Sequence, residues 1–397
     1  MATARPIKRK DGTVRSYQIR VHKGYDADGK QLTPYSCVWR IPDGMTNPRT
    51  IKKELEKAKT LFEMQCKAGL VATEHKTFAE YGEYVMTLKE RDNKHSTVVR
   101  YKEMLVRINA EIGHLKLENI NGEQLTRFYL KLGQAGQNKR TGGGLSHKTI
   151  LEYHHLISTI LNQAKKEGAI PTNPAEYATP PVVRKKEAEF FEVEELQKIM
   201  ACLEKEPLKW QAITRLMIDT GARRGEIMAL RWSSIDFKNN KVEIKRNLLY
   251  STDRGIYEDT PKTGKSRTIT VNPSVMDLLR RYKKEQTLLR FKMGERWENT
   301  GYCFTRDNGL PMHPDSPTDY LNKFSKKYDL PHIHPHKFRH SQVSLLMHAG
   351  VDLLTISKRV GHEQASTTSN MYAHMLAKAD SEASDAISDL LYEKKKA

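Results

Sequence analysis

Cysteine is scarce: the 397 residues hold four, Cys37, Cys66, Cys202 and Cys303, and no two form a CxxC pair. Neither a disulfide framework nor a zinc ribbon is therefore expected, and the cysteines read as buried reduced thiols. Long apolar runs are missing too, since none approaches the ~18 residues of a membrane-spanning helix. The opening MATARPIKRK lacks the apolar core of a signal peptide, so a cytoplasmic location and no membrane partner are expected. No repeat recurs at a fixed period, which leaves distinct domains as the source of the architecture. Acidic residues are in deficit: 48 Asp and Glu face 67 Lys and Arg, for a net charge of +19 with histidines neutral. A surface this basic needs an abundant anionic partner, and nucleic acid is the default candidate.

Hydrophobic residues make up 38% of the chain, enough to fold, and its length suits two or three domains. In the first region, 1–72, Tyr17, Ile19 and Val21 alternate with Gln18 and Arg20, as in a half-buried strand. A turn at Asp26 to Gly29 leads to a second strand from Tyr35 to Ile41, and Ile51, Leu55, Ala58 and Phe62 mark an amphipathic helix. A small three-stranded sheet backed by one helix is expected. Its first 70 residues hold 15 basic against 7 acidic residues, a net of +8. Strand-borne cations such as Lys8, Arg9, Lys10 and Arg20 could enter a DNA groove, the bland reading being a solvated face.

The second region, 73–178, opens with Thr77 and Glu80 in a capping-box pattern ahead of Phe78, Tyr81, Val85 and Leu88. Three further stripes follow at helical spacing: Tyr101, Leu105, Ile108, Ile112; Leu125, Phe128, Leu132; and Ile150, Tyr153, Ile157, Leu161. A four-helix domain is predicted, with a mobile basic loop at 137–141 that offers Lys139 and Arg140 to solvent or to phosphates. The segment from Asn173 to Lys186, with three prolines and the basic end Arg184, Lys185, Lys186, reads as an extended linker, placed at 179–186. Residues 187–397 read as a mainly helical domain interrupted by a β-hairpin region, where Lys241 to Lys245 and Arg267 to Val271 alternate. The fold class is thus multidomain, mainly α with small β-sheets.

Chemistry concentrates in that last domain. TGARRGE (220–226) reads as a helix end and a new helix start, where Arg223 could face an anion; surface arginines at helix punctuation are an equally good reading. Lys262 in PKTGKSR (261–267) sits on a turn between strands, as exposed lysines often do. The trio Gly264, Lys265, Ser266 is not a nucleotide-binding loop, because Asp259 stands where that motif needs glycine. In HPHKFRHS (334–341), Pro335 can open a helix that puts His336, Arg339 and His340 on one face. No metal is expected, since the guanidinium would be a poor neighbour and no HExxH accompanies it. One helix from Gln342 ends at Gly350, another at Gly361, with His362 just past it; Ser366 to Thr368 then reads as the cap of a short helix carrying Tyr372. Taken singly, each residue fits packing or solvation.

Their order and spacing resemble the tyrosine recombinase (phage integrase) family, motif by motif: TGARRGE, PKTGKSR, HPHKFRHS and VGHEQASTTSNMYAH (360–374). The small basic first domain is most similar to that of integrases from bacterial conjugative transposons and their phage relatives. The one departure, Phe338 where the family more often has Leu, keeps the position apolar. The resemblance implies an arm-type DNA-binding domain, a helical core-binding domain and a catalytic domain. It implies a cytoplasmic, nucleoid-associated enzyme that recombines double-stranded DNA with neither ATP nor metal ion as cofactor. Tyr372 would be the nucleophile, Arg223 and Arg339 the phosphate clamp, Lys262 the general acid, and His336 and His362 the proton and phosphate partners. It further implies a dimer to tetramer on DNA, with the apolar stripe Ala383, Ile387, Leu390, Leu391 docking on a neighbouring protomer. An excision factor and a host DNA-bending protein are expected partners. A type IB topoisomerase shares this chemistry but not the domain layout, and a non-catalytic DNA-binding regulator would not need every catalytic position intact.

Overall fold

A computed structural model of the chain describes residues 2–9, 12–25, 28–67, 76–184, 189–262 and 264–361. Lys10, Lys185, His362, the 366–368 cap, Tyr372 and the terminal apolar stripe lie outside the described residues. The chain divides into two compact units, Met1–Lys185 and Lys186–Ala397.

In the first unit, β1 (Thr3–Lys8), β2 (Val14–Val21) and β3 (Tyr35–Arg40) form an antiparallel sheet in the order β1-β2-β3. The alternation that marks β2 is real: Ile19 and Val21 are buried against Leu55 and Phe62 of α1 (Pro48–Lys67). Strand β1 carries no such signal, since its side chains are almost all exposed, only Ala4 packs against the core, and ladder pairing, Thr3 opposite Arg20 to Lys8 opposite Val14, supplies most of its contacts.

The helical part of this unit comprises α2 (Phe78–Asp92), α3 (His95–Ile112), α4 (Gly122–Leu132) and α5 (His147–Lys166). Thr77 accepts the Glu80 amide while the Glu80 side chain accepts the Thr77 amide, so the capping box forms at both ends. The predicted stripes meet in one core of Phe78, Tyr81, Leu105, Ile108, Leu125, Phe128, Ile157 and Leu161. The structure adds detail to one expectation here and corrects another. The 137–141 loop is closed by its own hydrogen bonds: Asn138 donates to Gly143, Gly136 donates to Gly142, and the Asn138 side chain accepts the Arg140 amide. Its main chain is thereby tied, while Lys139 and Arg140 stay exposed. The extended run also begins later than Asn173. That side chain is fully buried, bonded to Ser158, Asn162 and Ala175, and it caps a 3-10 turn at Pro174–Tyr177.

The second unit begins with α6 (Val193–Leu203), α7 (Leu208–Thr220) and the short α8 (Arg224–Met228). Strands β4 (Ile235–Asp236), β5 (Lys241–Ile244), β6 (Asn247–Ser251), β7 (Gly255–Asp259) and β8 (Arg267–Thr270) follow. The two alternating segments do pair, Val242 opposite Ile269, but they are not one hairpin: β6 and β7 form a separate two-stranded ladder between them. Strand β7 is half-buried along its length, which erases the period-2 signal. Then come α9 (Pro273–Met293), α10 (Ser316–Lys327), α11 (Pro335–His348) and α12 (Leu353–Val360). Helix α11 starts at Pro335 and runs unbroken, so Gln342 lies inside it rather than at its start. A single core joins Leu216, Met217, Ile227, Val242, Ile269, Leu279, Phe304 and Phe338. Among the described residues no helix is long and apolar enough to cross a membrane.

Candidate active site

The site is built at the break between α7 and α8. Helix α7 stops because Gly221 takes φ 59°, ψ 17°, the left-handed conformation open to glycine, and its amide bonds back to the Met217 carbonyl. A Cβ at Gly221 would lie 2.0 Å from Gln342 Oε1 and 3.2 Å from Val360 Cγ1. The chain then turns so that Arg223 is the N-cap of α8, half-buried, with its Nη1 donating to Glu226 Oε1 at 2.9 Å and its Nη2 to the Gly361 carbonyl at 3.2 Å.

Helix α11 brings the second arginine. Pro335 at its first position and His334 at its N-cap, whose Nδ1 accepts the Lys337 amide at 3.2 Å, fix where the helix begins. One turn on, Arg339 is 3% exposed and its Nη1 donates to the Gly221 carbonyl at 2.8 Å. This guanidinium therefore reads the main chain two residues before Arg223. Gln342, one turn further, donates from Nε2 to the Asp219 carbonyl at 2.5 Å, so the same helix face grips the end of α7 at two points.

Crowding by protein, then the positive charges of Arg339 and Arg223, lowers the His336 pKa below its ordinary value, although the ring reaches solvent. At neutral pH the imidazole is thus an uncharged proton acceptor beside two guanidinium groups. His340, stacked 5.9 Å from it, is pushed down to about 4 by burial and by His336 and Arg339. Of the predicted residues, Arg223, His336 and Arg339 come together. Lys262 is exposed on the turn between β7 and β8, beside a buried Pro261. His362 follows Gly361 directly in the chain, but lies with Tyr372 outside the described residues.

Two residues that sequence reasoning passed over complete the arrangement. Glu226, whose side chain is 0% exposed, accepts the Arg223 backbone amide at 2.9 Å as well as that guanidinium, and accepts Arg267 Nη2 at 2.6 Å. Burial alone would raise its pKa, but the bonds and charges of Arg267 and Arg223 outweigh burial and hold it below the ordinary carboxylate value. Both lay inside the quoted motifs, Glu226 three residues after Arg223 and Arg267 at the end of PKTGKSR, so the available signal was an acidic residue between two arginines of adjacent motifs.

Of the predicted DNA contacts, Lys8, Arg9, Lys139, Arg140 and Arg184 are exposed. Arg20 is half-buried, and its Nη2 donates to Gln18 Oε1 at 2.9 Å.

Comparison with known proteins gives the family and the fold. Residues 189–379 match the phage integrase family and residues 77–180 the phage integrase SAM-like domain. A tyrosine recombinase XerC-like protein of Caldanaerobacter subterraneus is 30% identical over 300 residues, covering 71% of this chain and 74% of that protein. The ICEBs1 integrase of Bacillus subtilis is 30% identical over 249 residues, covering 62% of this chain and 67% of it. Among solved structures, the Tn1549 transposon integrase in complex with a circular intermediate DNA shares the fold, with TM-score 0.64 and 21% identity over 78% of this chain and 99% of that one. The chain belongs to the phage integrase family, the tyrosine recombinases.

Proposed function

We propose that this site-specific DNA recombinase cuts and rejoins strands through a covalent bond between Tyr372 and a 3′ phosphate, integrating and excising a mobile element. In-line attack by the phenolic oxygen concentrates negative charge on the non-bridging oxygens of a five-coordinate phosphorus. Arg223 and Arg339 meet that charge with preorganised, paired N–H donors. Uncharged His336 accepts the phenolic proton, His362 donates a hydrogen bond to the phosphate, and Lys262 protonates the leaving 5′ oxygen. The tyrosyl ester keeps the energy of the broken phosphodiester, so a different 5′ hydroxyl can reverse the step without ATP. Two guanidinium groups supply the charge that a metal ion would otherwise bring.

The observation that carries this reading is the convergence of Arg223, His336 and Arg339, from distant parts of the sequence, around the Gly221 turn. The ICEBs1 and Tn1549 relatives support a mobile element as the substrate. Exposed Lys8, Arg9, Lys139, Arg140 and Arg184 contact phosphates of the arm and core sites, with the enzyme acting as a dimer to tetramer on DNA, aided by an excision factor and a DNA-bending protein. The domains run 1–72 for arm binding, 73–178 for core binding and 187–397 for catalysis, with a linker at 179–186. A nicked suicide duplex carrying the recombination site should yield a covalent adduct on a denaturing gel, and Tyr372→Phe should abolish it. An adduct that survives this substitution assigns the nucleophile elsewhere.

A further inference from the structure

We infer that Arg267 is a positioning residue of the strand-transfer site: through Glu226 it holds the Arg223 guanidinium in its phosphate-binding orientation. The inference rests on the recombinase reading above and adds a residue to its machinery. Arg267 opens β8, and its side chain is 11% exposed. Its Nη2 donates to Glu226 Oε2 at 2.6 Å and its Nη1 to Oε1 at 3.3 Å, while Nε donates to the Arg359 carbonyl at 3.0 Å. One planar group thereby joins the start of β8, the first turn of α8 and the last turn of α12.

The same two carboxylate oxygens hold Arg223, Oε1 its guanidinium and Oε2 its backbone amide. Glu226 on one turn of α8 could satisfy these bonds in more than one rotamer if Arg223 were its only cation. The second guanidinium removes that freedom, because a fork bound to both oxygens fixes the plane of the carboxylate. The Arg223 fork is fixed in turn, and its Nη2 reaches the Gly361 carbonyl, one residue ahead of His362. Gly361 has no room for more: at φ +71° a Cβ would stand 2.9 Å from Arg267 Nη1. Lysine cannot replace Arg267 here, since a single ammonium cannot span two carboxylate oxygens and a carbonyl on a third element.

The buried charges also explain why Glu226 must be ionised for the device to work. Two neighbouring guanidinium groups repel each other, and the carboxylate between them cancels that repulsion while leaving net positive charge for a phosphate. A structural brace alone would need only one of the two arginines.

The test is single-turnover adduct formation by the full chain on the nicked suicide duplex at saturating DNA, with wild type, Arg267→Lys, Arg223→Lys and the double variant. Arg267→Lys should slow adduct formation about a hundredfold, the cost of misplacing a reacting group by an ångström, with DNA affinity unchanged. The double variant should be no slower than Arg223→Lys, because both changes act through one guanidinium. A wild-type rate for Arg267→Lys, or penalties that multiply in the double variant, overturns the inference. If Arg267→Lys melts below the assay temperature, Glu226→Gln, nearly isosteric, takes its place with the same expectations. Absence of an adduct from the wild type defeats the recombinase reading itself, whereas a wild-type adduct with full-rate Arg267→Lys defeats only the role of Arg267.

Discussion

Replacing Gly221 by alanine should cost stability and activity together, and the structure sets the size of the effect. A non-glycine residue in the left-handed conformation costs about 1–2 kcal/mol, and Gly221 sits at φ 59° with no alternative while α7 and α8 keep their places. The new Cβ would meet Gln342 Oε1 at 2.0 Å, so the amide has to swing away. That movement breaks its hydrogen bond to the Asp219 carbonyl, worth about 1 kcal/mol net. The sum is about 2–3 kcal/mol. For a compact unit such as Lys186–Ala397, this lowers the melting temperature by about 4–12 °C. The Gly221 carbonyl is the acceptor for Arg339 Nη1, so any shift of the turn also moves that guanidinium relative to Arg223, the partner proposed to clamp the phosphate with it. Calorimetry of the second unit's transition, paired with the single-turnover cleavage rate, reads both effects. An alanine variant that melts with the wild type and cleaves at its rate would refute the claim that this turn is the pivot of the site.

Three further outcomes follow from the same reasoning. His340 has a folded pKa of about 4 against an ordinary value of 6.5, so its contribution to stability is complete above pH 6.5 and is lost as pH falls toward 4. Discounted for a ring that still meets solvent, the loss is on the order of 2 kcal/mol, and in urea titrations at pH 7 and pH 4.5 His340→Asn should shrink the difference in stability between the two pH values by about that much; an unchanged difference excludes His340 as a contributor. Asn173→Ala should destabilise the helical part of the first unit by about 2–3 kcal/mol, because the buried amide bonds Ser158, Asn162 and the Ala175 amide. Hydrogen exchange in α5 should rise accordingly, and unaltered protection there would count against this packing role. The Tyr372→Phe result stands beside these as the direct check on the proposed nucleophile.

Much of the helical architecture was legible in local pattern. The Thr77 and Glu80 box, the stripe from Tyr101 to Ile112 and the proline that opens α11 each specify structure within a few residues, where sterics and i, i+4 geometry decide. A third strand was expected in the small sheet, but the bounds of β1, and the strand β7 altogether, were not legible, because one is mostly exposed and the other half-buried along its whole length, and neither writes an alternation into its residues. The motifs named Arg223, His336 and Arg339 as candidates, yet nothing in their spacing said that Arg339 would bind the Gly221 carbonyl.

By itself the amino-acid order determined the helices, their caps, the basic charge and the chemical inventory of the site, since each depends on neighbours in the chain. Only the tertiary structure decided that Glu226 would be shared by Arg223 and Arg267, and that the end of α12 would rest on both. Those contacts join three segments separated by long stretches of chain. Their partners are chosen by how the core packs and not by any periodicity a sequence can display.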